Sequence, residues 1–318
     1  MVKPSPIPIP ADDALDAFSD KFGAVFVKEM RQGLRAHRFV APFLTLHALA
    51  FLAVVGQLAF TFFAELDNSP ALYGLQSFFD GMLERSFLTL LWFFVGIVMP
   101  LTGINALQAE LNHERNIDLL LMSGLSRWQI IRGKWLVLCS LSFLILISML
   151  PYMLTLYFSG GIDLIGQAKE IFKLWLFNGL MCAATLASSA YRHLVMRLLL
   201  IGLIFFSSLL SFLLTLIPTH IGVITGWHWL DRGSSMLNHL LLVLLYLAYS
   251  LQLGRSSLRI YDKPTDPPHT GLLIILIIFT PVALALFRLI GGPIGMTLAL
   301  IAAAAITLSI DPMSKKRD

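Results

Sequence analysis

Apolar runs dominate this chain, and short polar breaks cut them into lengths that fit a lipid bilayer. A spanning helix needs about 20 mostly apolar residues. The pattern predicts eight of them, over 39–64, 86–108, 130–158, 171–191, 196–217, 237–254, 271–290 and 292–310. The last two form a tight hairpin around "LIGGPIG". Ahead of the first span, Phe18, Phe22, Phe26, Met30 and Leu34 recur every fourth residue, with Lys21, Lys28, Arg31, Gln32 and Arg35 between them. This predicts an amphipathic helix within 13–38, lying on the inner membrane face. The proline-rich residues 1–12 read as a disordered tail, 263–270 as a linker and 311–318 as a polar tail. The fold class is all-α, a polytopic membrane protein.

Composition supports that class. Of 318 residues, 57% are hydrophobic and 13% charged, against about 45–50% and about 25% in soluble domains. The opening "MVKPSPIPIPADDALD" has no apolar signal region, so the N-terminus is expected to stay where it was made. The net charge of +4 comes from residues scattered at span ends. That placement suits anionic lipid and orientation, not nucleic acid. With the N-terminus inside, only Arg85, Lys169, Lys173, Arg232 and Arg288 of the 23 basic residues fall outside. Both termini are therefore expected in the cytoplasm. Cys139 and Cys182 lie in apolar segments, which argues against a disulfide framework or a cysteine metal site.

Several chemistries are missing. The sequence has no phosphate-binding G-x-x-x-x-G-K-[ST] loop, no H-E-x-x-H and no G-x-S-x-G. By these boundaries no acid or base sits at mid-span, where ion-coupled carriers keep their relays. No catalytic, cofactor or metal site follows, and any energy for transport must come from elsewhere. His220, His228 and His239 lack metal-ligand spacing and read as interfacial. Asn178, Gln57 and His47 are expected to hydrogen-bond between helices. Pro151 is expected to kink the third span, and Gly291 and Gly295 to mark a turn.

One stretch, "HERNIDLLLMSGLSRWQIIRGKW" from His113 to Trp135, departs from the oily pattern. Asn116 can cap a short helix, and Asp118 in its first turn complements the helix dipole. "IDLLLM" gives it an apolar side, Gly124 can end it, and Ser126 can cap the next helix. The product is a short cytoplasmic helix held at both ends by transmembrane helices. It can pass a push from a soluble partner into the membrane, or it can simply join two spans. Physics alone weighs these equally.

The run "QAELNHERNIDLLLMSGLSRWQIIRGKW" resembles the signature of type-2 ABC transporter permeases. Glu114, Arg115, Leu119, Leu120, Leu121, Ser126, Arg127, Gly133 and Lys134 carry the match. Asn116 and Ile117 depart from the family's usual Gly-Thr and small residue. "VFVKEMRQGLRAHRF" resembles the family's opening helix, and "SMLPYMLTLYFSGGID" its third span with the Gly-Gly that follows. In order and topology the resemblance covers about residues 25–262.

The resemblance implies a six-span permease core over 39–262 with a coupling helix near 114–126. Asp118, Ser123 and Gly124 join the matched residues in that ATPase-coupling element. Lys28, Glu29, Arg31 and Arg35 belong to the interfacial helix beside it. The implied partners are a separate ABC ATPase carrying ATP and Mg, a second permease half and membrane lipid. Substrate passes where the halves meet, at the second and fifth spans, in a bacterial inner membrane. The hairpin at 271–310 is additional to the six, and the core is expected to insert without it. A membrane sensor or scaffold coupled to an ABC ATPase is the alternative. An intramembrane enzyme is disfavoured by the missing side chains. The lack of mid-span charge leans towards an amphipathic or apolar cargo.

Overall fold

The computed structural model describes residues 24–67, 86–108, 126–158, 164–216, 228–262 and 269–310. Among these the chain is helical and contains no strand. We number the helices α1 (Ala24–Arg35), α2 (His37–Asp67), α3 (Ser86–Leu101), α4 (Arg127–Phe158), α5 (Leu164–Ser188), α6 (Leu194–Leu216), α7 (His228–Asp262), α8 (Thr270–Gly292) and α9 (Ile294–Ser309). Six of them are long and apolar enough to cross a membrane: α2, α4, α5, α6, α7 and α8. The shorter apolar helices α3 and α9 stand where the second and eighth spans were expected.

The amphipathic helix is α1, separated from α2 by a bend at Ala36. Part of its described apolar face packs against protein. Phe26 is buried, and Val27 and Met30 pack beside it in a core that includes Phe39, Leu141 and Ile145. Gly33 lies so close to α4 that an added Cβ would sit 2.9 Å from Leu141 Cδ1. Phe26, Val27 and Met30 thus help dock α1 on α4, while Leu34 remains exposed.

α3 departs from a plain span. Residues Phe94–Val98 are π-helical, with the Met99 N–H donating to the Phe94 carbonyl. In that register the Val95 carbonyl faces residue 100, a proline with no N–H to give. Asn178 on α5 supplies the donor instead, with Nδ2 bonded to Val95 O and, at 3.1 Å, to Ser142 Oγ on α4. Beyond Leu101 the helix tightens into turns, with Thr102, Gly103 and Ile104 each donating to the carbonyl three residues back. The helix expected as far as residue 108 is therefore broken by Pro100. His47 also differs from expectation: its Nδ1 pairs with Phe43 O within its own helix, at 2.8 Å.

Two cores meet across α5. The first gathers α1 to α4 and the start of α5 around Leu46, Leu91, Met99 and Met149. The second joins α5, α6 and α7 to the hairpin around Ala184, Ile204, Leu245, Ile277 and Leu300. Gly292 turns the hairpin, at φ 60° and ψ −147°, a conformation glycine adopts without steric cost. The legs then run back past α7. Tyr249 OH lies 2.9 Å from Thr280 Oγ1 on α8 and also bonds Thr307 on α9. Thr297 Oγ1 donates to Asn238 Oδ1 at 2.7 Å, so α9 follows α7 in the same direction. On the other side of α7, Tyr246 OH meets Ser207 Oγ at 2.7 Å and Ser211 Oγ at 2.9 Å. Ser207 in turn donates to Ile277 O on α8. The hairpin set apart by sequence thus shares hydroxyls and a core with α6 and α7.

Candidate functional site

The segment that carries the coupling motif begins after Gln108, beyond the turns that follow α3, and the described chain resumes at Ser126. Glu114, Arg115, Asp118, Leu119, Leu120, Ser123 and Gly124 lie outside the described residues. Both flanks of the segment are described, and each is fastened to the bundle.

At the return flank, Ser126 starts α4 with a reciprocal cap. Its Oγ accepts from the Gln129 N–H at 3.2 Å, and Gln129 Oε1 accepts from the Ser126 N–H at 2.8 Å. This Ser-x-x-Gln capping box satisfies two amide donors that a helix start leaves open. Two turns further on, Gly133 and Lys134 are buried on the face of α4 towards α1. Lys134 Nζ donates to Glu29 Oε1 at 2.9 Å. The structure therefore brings Glu29 of the interfacial set together with Lys134 of the loop set. Lys28, Arg31 and Arg35 point outward and are exposed, as is Arg38. Arg127 is half-buried in the first turn of α4.

At the departing flank the structure shows a residue that sequence reasoning passed over. Arg197, in the first turn of α6, is 3% exposed. Its Nε donates to Tyr191 O at 2.6 Å, Nη1 to Ile104 O at 3.2 Å and Nη2 to Arg192 O at 3.0 Å. Nη1 also reaches Asn105 Oδ1, and Nη2 reaches Gln108 Oε1. A cation at a helix start opposes the dipole of its own helix. Here the fixed fork of guanidinium donors meets the open carbonyls where α3 and α5 end, which offsets that cost. Ser189 Oγ adds a bond from the Leu107 N–H at 3.1 Å. The signal for Arg197 was present: a charge one turn inside an apolar helix needs partners. Sequence reading counted it only towards orientation.

The corner between α5 and α6 is tied further to α7, where the Tyr191 hydroxyl bonds Ser257. Burial raises the Tyr191 hydroxyl above its ordinary pKa and keeps it neutral, although the Ser257 bond pulls the other way. Among the described residues no group of three or more His, Cys, Asp or Glu side chains could hold a metal ion. The geometry is that of a mechanical joint, with one buried cation fastening each flank, Arg197 on one side and Lys134 on the other.

A family model described as "ABC-2 family transporter protein" matches residues 23–195. The chain belongs to the ABC-2 transporter permease family. It is thus a component of membrane transport, a multi-pass membrane protein and not itself a catalyst. The matched stretch of this ABC-2 permease runs from α1 through α5 and includes the whole coupling segment. It stops two residues short of Arg197 and leaves α7 and the hairpin beyond it. No curated protein and no solved structure matches the chain.

Proposed function

We propose that this ABC-2 permease is the membrane subunit of an ATP-driven exporter, and that a separate ABC ATPase docks on the segment around residues 114–126. ATP and Mg bind that partner. This chain binds no cofactor and converts the partner's movement into a change of access across the inner membrane. The observation that carries the reading is the fastening of both flanks of the segment to the bundle. A loop that only joined two spans would need neither a capping box nor two buried cations. On this reading both termini lie in the cytoplasm, which the distribution of basic residues favours, and a second permease half completes the pathway. The paired polar groups deep in the bundle, Asn178, Ser142, Tyr246 and Tyr249, are neutral. Their neutrality favours an amphipathic or apolar cargo.

The test is Leu120→Asp. On this reading the segment stays outside the bilayer core, so the variant should reach the membrane at normal level. A carboxylate facing an apolar groove costs on the order of a few kcal/mol, about a hundredfold in affinity. Copurification of the ATPase should therefore fall sharply. Full recovery of the ATPase with normal membrane level would overturn the docking reading. Stimulation of ATP hydrolysis by candidate cargo in liposomes then separates an exporter from a sensor that moves nothing.

A further inference from the structure

The two flanks of the coupling segment are fastened to different parts of the bundle. The return flank runs into α4, and Lys134–Glu29 ties it to α1. The departing flank joins α3, which is a poor strut. Its hydrogen bonding changes register at Phe94–Val98 and again in the turns after Leu101. Such π and tight-turn segments mark hinges more than rods, so a push directed along α3 would be absorbed there. The same flank has a second connection, sideways through Arg197 to the corner between α5 and α6. That connection is buried and dense. Arg197 donates to Ile104 O and the side chains of Asn105 and Gln108 on one side, and to Tyr191 O and Arg192 O on the other. The Leu107–Ser189 bond and a 3.4 Å bond from Gln108 Nε2 to Arg192 O run in parallel.

We infer that Arg197 is a positioning residue for coupling: its guanidinium locks the end of α3 to the α5–α6 corner, so that movement of the 109–125 segment reaches α6 through it. This rests on the docking reading above. The structure gives the movement two branches, Arg197 towards α6 and Glu29–Lys134 towards α1. A residue that merely capped a helix would not separate them.

The experiment uses the full chain with its ATPase in lipid nanodiscs, with Cys139 and Cys182 replaced by alanine. A single reporter cysteine carries an environment-sensitive fluorophore, at the exposed Leu213 on α6 or the exposed Gln32 on α1. ATP with vanadate should change both signals in the unaltered permease. Arg197→Lys keeps the charge but loses the planar fork. It should lose the ATP-dependent change at position 213 and keep that at position 32. Gln108→Leu opens the clasp from the α3 side without touching Arg197 and should give the same pattern, so the inference stays testable if the arginine variant folds poorly. Glu29→Gln should give the mirror result. Persistence of both signals in Arg197→Lys and Gln108→Leu, or their joint disappearance, would overturn the role. A permease that retains no ATPase would overturn the docking reading, and the coupling role with it.

Discussion

The Lys134 ammonium meets the Glu29 carboxylate at 2.9 Å, with the lysine 4% and the glutamate 26% exposed. The pair bridges the start of the third span and the interfacial helix. Its two ends differ in their access to water, and that difference sets the first prediction. After Lys134→Met, Glu29 can turn towards solvent. After Glu29→Leu, an enclosed ammonium loses its carboxylate. Exposed pairs are worth about 0–1 kcal/mol, and breaking buried ones costs about 3–5 kcal/mol. Glu29→Leu should therefore destabilise by about 1–3 kcal/mol, and more than Lys134→Met. The double variant should recover part of the loss. Thermal unfolding of the three variants in detergent gives the cycle.

Ser126→Ala removes one half of the capping box that starts α4. Loss of such a cap costs about 1 kcal/mol. The effect should be local, with faster amide exchange at residues 127–129 and no change deep in α4. Uniform exchange along α4 would mean that the cap does not hold the helix start.

The hairpin turn separates three glycines. Gly292 carries the positive φ, with ψ −147°, a region essentially reserved for glycine, so Gly292→Ala should cost about 1–3 kcal/mol. At Gly295 an added Cβ would stand 2.5 Å from the Phe287 carbonyl oxygen, which is backbone and cannot swing aside. Gly295→Ala should force the legs apart and lower thermal stability. Gly291 has nothing within 4 Å of such a Cβ, and Gly291→Ala should be neutral or slightly stabilising. Equal effects at all three sites would contradict the turn geometry.

The hydroxyls between α6, α7 and the hairpin predict what truncation does. A chain ended after Lys263 strips Thr280 and Thr307 from Tyr249 and the Ile277 carbonyl from Ser207. We expect lower membrane levels and early thermal unfolding, with Tyr249→Phe mitigating part of the defect because it removes the stranded hydroxyl. In the intact chain the same Tyr249→Phe should cost about 0.6 kcal/mol and no more than about 1.7 kcal/mol, as for other hydrogen bonds between membrane helices. A truncated chain as stable as the whole would restore the separable hairpin read from its proline-rich joint.

Asn178→Leu removes the donor that serves the Val95 carbonyl beside Pro100. An intramembrane carbonyl without a partner is costly, so α3 should loosen at the π-helical turn. Increased amide exchange at residues 94–99, without equal change in α4, is the expected reading.

The sequence by itself determined the elements whose cause is local. Bilayer thickness sets span length, so runs of apolar residues placed α2, α4, α5, α6, α7 and α8 to within a few turns. "LIGGPIG" contains the glycine that only a turn requires, and Ser126 with Gln129 announces a helix start without help from elsewhere. Only the tertiary structure decided the contacts that make the joint. Lys134 and Glu29 are 105 residues apart, and Arg197 reaches partners 89 to 93 residues away in the turns after α3. It also decided that the apolar face of α1 docks on α4. In water a buried apolar face must find protein. In a membrane, lipid tails are as apolar as leucine, so hydropathy finds the helices without saying which faces meet lipid and which meet each other. Helix neighbours are chosen by shape and by the few polar groups that need partners, such as Arg197 and Asn178, and those partners exist only once the bundle has formed.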